Sequence, residues 1–531
     1  MKVYICLSLA IAPAAMATST RLLHYSNPFF VSIISIIIVY LLIKLCTKPK
    51  SSVRYPPSPL ALPIIGHLHL LSSSLPKSFQ TLARRYGPLM RIHIGQSIFV
   101  VVSDAAVAKE VLRIHEGEFA SRFEFGPAEY NIYKDAGFIT SPYGTYWRFM
   151  KKLCMTKLFS GPQLDRFNNI RKEEIMKLLK SLMKRSREGK WCDLSAELAS
   201  LTNNLIFRMA MGKRFSKDGN EANEMWKLVV EIMGLAAKLG VNEVHGLLKK
   251  IDLFGNGKKL REALERYDRL VEEIIKDYEE NGLDIGGGNE DLMHILLETY
   301  REKNAELKIT RDQIKYFTLE LFIASIDTSS AAIQWAMAEL INHPKVFKKV
   351  REEIDSVVKS NRLVNESDVP NLPYLQAIAK ETLRLHSPVP IFHRECTKDC
   401  KINGFDLQVK DRVLINAYAI MRHPEAWSDP DKFLPERFLY NSSGENNGEY
   451  LMEIKDQGFW FLPFGGGRRG CAGSLHAYLV THGTVGALVQ CFDWKTKDGE
   501  KVDISVGSGF SGAMALPMEC YPVLRFDPFQ K

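Results

Sequence analysis

The spacing of apolar and polar positions predicts a mainly helical chain with one small region of strands. The longest periodic segment covers 311–342, where Phe317, Leu319, Leu321, Phe322, Ile323 and Ile326 leave no polar face, the pattern of a helix buried on all sides. Thr310 and Gln313 form a capping box ahead of it and His343-Pro344 stops it. At a rise of 1.5 Å per residue such a helix is about 48 Å long, enough to cross a domain. The segment opening at Pro344 places Val346, Val350 and Ile354 on one face, and 371–386 is a further helix halted by Ser387-Pro388. The apolar run 474–491 has the length of a buried helix, and 193–280 is helical with breaks expected at Gly212, Gly240 and 255–257. Strands are predicted at 90–94 and 98–102 around Gly95-Gln96-Ser97, preceded by a short helix over 78–85. Ser103 is the expected N-cap of a helix reaching Ile114. Residues 119–137 are irregular and aromatic, and 506–517 reads as a turn between short strands.

One apolar run has a different character. Residues 28–46 carry almost no polar group and are just long enough to span a bilayer. Lys44, Lys48, Lys50 and Arg54 mark its far end, so the positive-inside rule places the large domain in the cytoplasm. Residues 1–27 allow two readings, a cleavable signal peptide or an extension ahead of a signal anchor, and the second is preferred. A basic, proline-rich hinge follows over 47–66, with Pro56, Pro57, Pro59 and Pro63. No repeat or break in composition divides the rest, so 67–531 reads as one catalytic domain.

Composition narrows the classes. The 531 residues are 46% hydrophobic, and 70 basic against 61 acidic residues give a net charge of +9 spread along the chain. No basic tract interleaves with aromatics, which argues against nucleic acid and for an anionic membrane surface or an acidic redox partner. Nine cysteines stand singly, as in a reducing compartment. The sequons at Asn365 and Asn441 would go unused on a cytoplasmic domain.

Three constellations carry chemistry. Residues 461–473 read FLPFGGGRRGCAG, with Cys471 in a glycine-rich loop at the mouth of the 474–491 helix. Free N–H groups and the helix dipole there favour thiolate over thiol. Thiolate is a strong axial ligand for haem iron, glycines allow a flat macrocycle to approach, and Arg469 suits a propionate. A buried structural cysteine is the bland alternative; a phosphate loop is excluded because no Lys-Ser or Lys-Thr follows the glycines. Asp327 and Thr328 interrupt the apolar 311–342 run, and a buried carboxylate is costly unless paired or working. Glu381 and Arg384 share one face at i,i+3, a pair worth little if exposed.

The order Phe464, Gly467, Arg469, Cys471, Gly473 resembles the haem-binding loop F-x-x-G-x-R-x-C-x-G of the cytochromes P450. Three further motifs stand in the family's order, so the resemblance runs from about Pro56 to the C-terminus. Ala324-Ser325-Ile326-Asp327-Thr328 is similar to A-G-x-D-T, whose acid–alcohol pair delivers protons to dioxygen; Ser325 stands where the family has glycine. Glu381 and Arg384 match E-x-x-R, and Pro435-Glu436-Arg437-Phe438 supplies the third member, Arg437, of a structural cluster. Trp147 and Lys151 take the places of W-x-x-x-R, with lysine replacing the arginine's bidentate fork. Arg394 aligns with a position that reaches a propionate.

The resemblance implies the cytochrome P450 fold, mainly α with a small β region, preceded by one N-terminal transmembrane helix. Cys471 is the implied iron ligand, with Trp147, Lys151, Arg394, Phe464, Gly467, Arg469 and Gly473 around the haem. Ser325, Asp327 and Thr328 are the implied catalytic group, and Phe123, Phe125, Ile323, Ala324, Val389, Ile391, Phe510 and Ser511 the substrate pocket. The function implied is monooxygenation of a small hydrophobic plant metabolite at the endoplasmic reticulum membrane, with dioxygen and with NADPH electrons delivered by an NADPH–cytochrome reductase. The proline hinge, WRFMKK and the tail are most similar to the group containing flavone and isoflavone synthases and pterocarpan or triterpene hydroxylases, with a flavonoid or isoflavonoid favoured over a triterpenoid. Two alternatives stay open: a haem-thiolate isomerase or dehydratase, which Asp327-Thr328 argues against, and a haem-binding protein without turnover, which Ser325 favours.

Overall fold

The computed structural model describes residues 53–123, 130–133, 136–212, 220–242, 252, 255–280, 291–358, 362–439, 459–507 and 512–530, with Ser32 and Ser35. The long helix forms where the sequence places it, over Arg311–Asn342, with the Thr310–Gln313 capping box closed in both directions. It threads two apolar cores. Phe317, Leu319, Leu321 and Phe322 pack in one, with Phe207, Met209 and Tyr267, while Ile333, Ala336, Met337 and Leu340 pack in the other, with Leu201, Leu375 and Leu488. Between these halves the helix carries Ala324, Ser325, Thr328, Ser329 and Ala332, side chains too small to fill the space beside them. That run of small residues leaves room for a cavity.

Helices Leu194–Met211, Pro373–Leu385 and Ser474–Cys491 pack against the long helix. A four-stranded sheet lies to one side in the order Leu89–Ile94, Ser97–Val102, Arg412–Asn416, Ile391–Glu395; only the middle pairing is parallel. A three-stranded sheet joins Cys192–Asp193, Glu519–Leu524 and Phe492–Lys495, and Cys400–Ile402 pairs with Phe405–Leu407. Mainly α with a small β region is therefore the architecture.

Several local expectations need correction. Asp104, not Ser103, caps the helix before Ile114: its carboxylate accepts from the N–H groups of Ala106 (2.8 Å) and Val107 (3.2 Å). That helix also widens into a π-turn over Glu110–Ile114. Gly212 ends its helix in a left-handed conformation as expected, but Gly240 breaks nothing, because the helix Asn220–Asn242 runs through it. An interior glycine weakens a helix without being obliged to end it. The hinge expected over 47–66 is docked from Arg54 onward: its N–H donates to the Asp406 carboxylate (2.7 Å) and its carbonyl accepts from the Asp406 N–H (2.8 Å). Arg91 N–H donates to the Pro57 carbonyl (2.7 Å), and Gly66 bridges to Ile94 in the first sheet. Among the described residues no helix is long and apolar enough to cross a membrane; the expected span 28–46 lies outside them, Ser32 and Ser35 excepted.

The Glu381, Arg384 and Arg437 group closes as expected. Arg384 grips both carboxylate oxygens of Glu381 (Nε–Oε2 2.7 Å, Nη2–Oε1 2.9 Å), and Arg437 Nε adds a third contact at 3.0 Å. The Leu434 N–H donates to the same carboxylate, and the spare Arg384 donors reach the carbonyls of Met421 and Pro430. Glu381 and Arg384 are fully buried, so the group holds three chain segments together in a medium where a lost charge cannot be replaced by water. Glu381→Gln strands two buried guanidiniums and should lower unfolding stability by about 3–5 kcal/mol. A denaturant titration checks this; a loss below about 0.5 kcal/mol, the range of an ordinary surface change, would show that the carbonyls alone satisfy the arginines.

Candidate active site

A cavity of about 370 Å³ lies between the long helix and the cysteine loop. The helix lines it with Phe317, Leu321, Ala324, Thr328 and Ala332, one stripe at three- and four-residue spacing. Ser325, Ser329 and Glu320 flank the stripe. Opposite stand Phe464, Gly465, Gly470, Cys471 and Gly473, with His476 and Ala477 from the following helix.

The loop is folded by its own backbone. Cys471 N–H donates to the Phe464 carbonyl (2.9 Å) and Gly470 N–H to that of Gly467 (2.9 Å), which curls the chain so that the Cys471 side chain faces the cavity. Gly467 has a positive φ of 66°, and a Cβ there would meet the Leu112 carbonyl oxygen at 2.5 Å. It packs beneath the loop and, unlike the other expected haem-site residues, is not among those that line the cavity. Gly473 does line the cavity, and a side chain there would touch no protein atom within 4 Å. Burial pushes the Cys471 thiol up, opposed by the Gly473 backbone hydrogen bond and by Lys151 and Arg122. The helix mouth alone does not secure the thiolate expected from position.

Buried and half-buried cations surround one edge of this space. Arg469 donates to the carbonyls of Ala120 (2.5 Å), Phe138 (3.4 Å), Ile139 (3.2 Å) and Ser141, and its guanidinium lies over the Trp147 ring at 4.5 Å. Arg394 donates to the carbonyls of His393 (2.8 Å) and Gly466 (3.2 Å), and Arg122 to those of Ile139 (3.4 Å) and Arg469 (3.5 Å), with Arg122 Nε unpartnered. Burial, then mutual repulsion, lowers Arg394 strongly and Arg469 to about 9. Lys151 reaches the Gly470 carbonyl (2.7 Å). Against these four cations Glu320 is the only carboxylate among the lining residues.

The expected site residues divide accordingly. Trp147, Lys151, Arg394, Phe464, Arg469, Cys471, Gly473, Ser325, Thr328, Ala324 and Val389 all line the cavity. Asp327 does not: it is exposed, one step aside from the stripe, although surrounding protein still raises its carboxyl. Thr328 Oγ1 donates to the Ala324 carbonyl at 2.7 Å. Phe123 is corrected to the core, between Phe99 and His393, and Ile391 to the buried strand beside it. Ile323 packs half-buried against the core around Phe322. Phe125, Phe510 and Ser511 fall outside the described residues. Sequence reading missed Arg122, Glu320 and His476. Glu320 had a legible signal, a charge inside the same apolar run that drew attention to Asp327.

The donor set fits a thiolate-ligated haem. Two cysteines line the cavity: Cys154 is buried, with its thiol pushed up to about 12, and Cys471 is the exposed one, on the glycine loop. The helix walls are largely apolar, and three guanidiniums with one unpartnered nitrogen call for anions, which two propionates provide. Cys471 would hold the iron, and Arg122, Arg394 and Arg469 the propionates.

Comparison with known proteins agrees with this geometry. The family model described as Cytochrome P450 matches residues 56–517. Beta-amyrin 24-hydroxylase of Glycine max is 40% identical over 508 residues, covering 94% of this chain and 98% of the relative. The 3,9-dihydroxypterocarpan 6A-monooxygenase of Glycine max is 40% identical over 491 residues, 91% of this chain and 95% of the relative. A zebrafish cytochrome P450 solved with abiraterone superposes with a TM-score of 0.71 at 23% identity, covering 86% of this chain and 100% of that one. The chain is a member of the cytochrome P450 family.

Proposed function

We propose that this chain is a membrane-anchored monooxygenase of plant specialised metabolism that takes electrons from NADPH through an NADPH–cytochrome reductase. The observation that carries the reading is that Cys471 and Thr328 line the same cavity, with apolar residues of the long helix on either side of Thr328. When bound, the haem supplies activation of dioxygen and insertion of one oxygen atom into a C–H bond. Cys471 would ligate it as thiolate, a form that Lys151 and Arg122 favour electrostatically. Thr328 Oγ1 donates its proton to the Ala324 carbonyl and offers its lone pairs to a donor at the cavity face, and the exposed Asp327 carboxyl exchanges protons with solvent. Phe317, Leu321, Ala324, Ala332 and Val389 exclude water and present an apolar face to the substrate. The names of the two soybean relatives support an isoflavonoid or a triterpenoid, and the isoflavonoid is favoured. Residues 28–46 anchor the chain in the endoplasmic reticulum membrane with 67–531 in the cytoplasm.

Co-expressed with a plant reductase, the chain should convert a flavanone, pterocarpan or triterpene into a product one oxygen heavier. Its reduced carbon monoxide complex should show the red-shifted Soret band of thiolate ligation. Cys471→Ala should abolish both, and Cys396→Ala neither; loss of the band in the Cys396 variant would remove Cys471 as ligand.

Ser325 faces the cavity where a glycine would leave space. Crowding of dioxygen predicts that Ser325→Gly yields more product and less peroxide per NADPH, while Thr328→Ala shifts flux to peroxide. Lower coupling in Ser325→Gly would instead assign its hydroxyl to proton transfer.

Protease added to intact microsomes should digest the catalytic domain, and Asn365 and Asn441 should carry no glycan. Protection of the domain would reverse the topology.

A further inference from the structure

Residues 136–141 cross the cavity edge as a strap without regular structure, bent over 138–141. Its two central peptides are held from opposite sides. Phe138 N–H donates to Glu320 Oε2 (2.6 Å) and Ile139 N–H to Glu320 Oε1 (3.0 Å). The carbonyls of the same two residues accept from Arg469, and that of Ile139 also from Arg122. The strap lies so close to the long helix that a Cβ at Gly137 would meet Tyr316 Cε1 at 2.9 Å and Glu320 Oε1 at 3.2 Å. The side chains carried by these peptides face the cavity: Phe138 stacks on Trp147 (6.0 Å between centroids, 11° between planes) and meets Phe317 edge-on.

We propose that Glu320 is the positioning residue that sets the cavity wall at Phe138 and Ile139, and through that wall selects substrates by size. The inference rests on the haem-site reading above. Both oxygens of Glu320 face N–H donors, so only the carboxylate completes the arrangement; a protonated acid or an amide would set one donor against another. Burial raises its carboxyl to about 7, countered by these two amides and by Arg122 and Arg469. A proton-carrying role is the competing use for a cavity carboxylate, but neither oxygen is free to turn towards a reacting group. The arrangement also ties the wall to the cofactor. The guanidiniums holding the strap carbonyls are those that would pair with propionates, whereas Glu320 at Phe138 and Ile139, like Tyr146 at the Ala136 carbonyl (2.8 Å), anchors the strap without such competition.

The test uses azoles, which ligate haem iron and report binding by a spectral shift without any known substrate. Unsubstituted imidazole reaches the iron without touching the wall; phenyl- and biphenyl-substituted imidazoles must pass Phe138. In the full-length, haem-loaded protein, Glu320→Gln should change the Kd of the biphenyl compound by about tenfold or more and leave that of imidazole within about twofold. In a Phe138→Ala background the same Glu320→Gln change should no longer alter the biphenyl Kd, since the side chain that the carboxylate places is gone. Equal shifts for all azoles, no shift, or additivity with Phe138→Ala would each overturn the positioning role. Absence of any azole spectrum in the parent protein would overturn the haem-site reading itself and the inference with it. Should Glu320→Gln lose haem, amide exchange decides. Lost protection over 136–141 with protection kept over 373–385 supports the role, and any other pattern overturns it.

Discussion

Everything around the cavity depends on one constraint: several guanidinium groups are out of water and must be satisfied. A cation removed from solvent costs several kcal/mol unless hydrogen bonds and counter-charge replace hydration. Arg469 meets this by donating to carbonyls at 120, 138, 139 and 141, segments that no strand or helix joins to the cysteine loop. Satisfying the charge is thus the same act as assembling the wall. Arg394 does likewise towards Gly466, so the loop that carries Cys471 is positioned by cations reaching into it from the sheet side.

The two buried charge clusters differ in balance, and the difference separates scaffold from site. Around Glu381 two arginines meet one carboxylate, backbone N–H and C=O groups complete the shell, and the lining of the cavity includes none of the three. Around the cavity four cations meet one carboxylate, and one arginine nitrogen has no partner. A closed cluster fixes geometry. An unbalanced one is completed by a ligand of opposite charge, and the carboxylate edge of a haem has that charge.

Legibility of the sequence followed the range of the forces involved. The long helix was readable because its signals are local: a capping box, an apolar run and a terminating proline. The Cys471 loop and the Glu381–Arg384 pair were readable because their residue order is itself specific. What was not readable required knowing which distant segment fills a space. Phe123 and Ile391 carry the side chains of pocket residues, yet the first sheet buries them. Gly467 has the motif's glycine for a reason outside the motif, the Leu112 carbonyl behind it. Ser103 and Asp104 are both good caps in sequence, and only the geometry chooses between them.

Asp327 and Glu320 sharpen that lesson, since the same helix carries both carboxylates two turns apart. In sequence the first looks functional because of its neighbour Thr328, and the second is one acidic residue between leucines. In the fold the roles of environment reverse: Glu320 is buried and holds two peptides, while Asp327 stands exposed beside the cavity stripe. The physical reason is the 136–141 strap, which covers the helix at Glu320. A carboxylate under the strap is fixed by N–H donors and serves shape. One open to water is hydrated instead. The apolar helix therefore tolerates two acids because each avoids the cost of an unpaired buried charge by a different route.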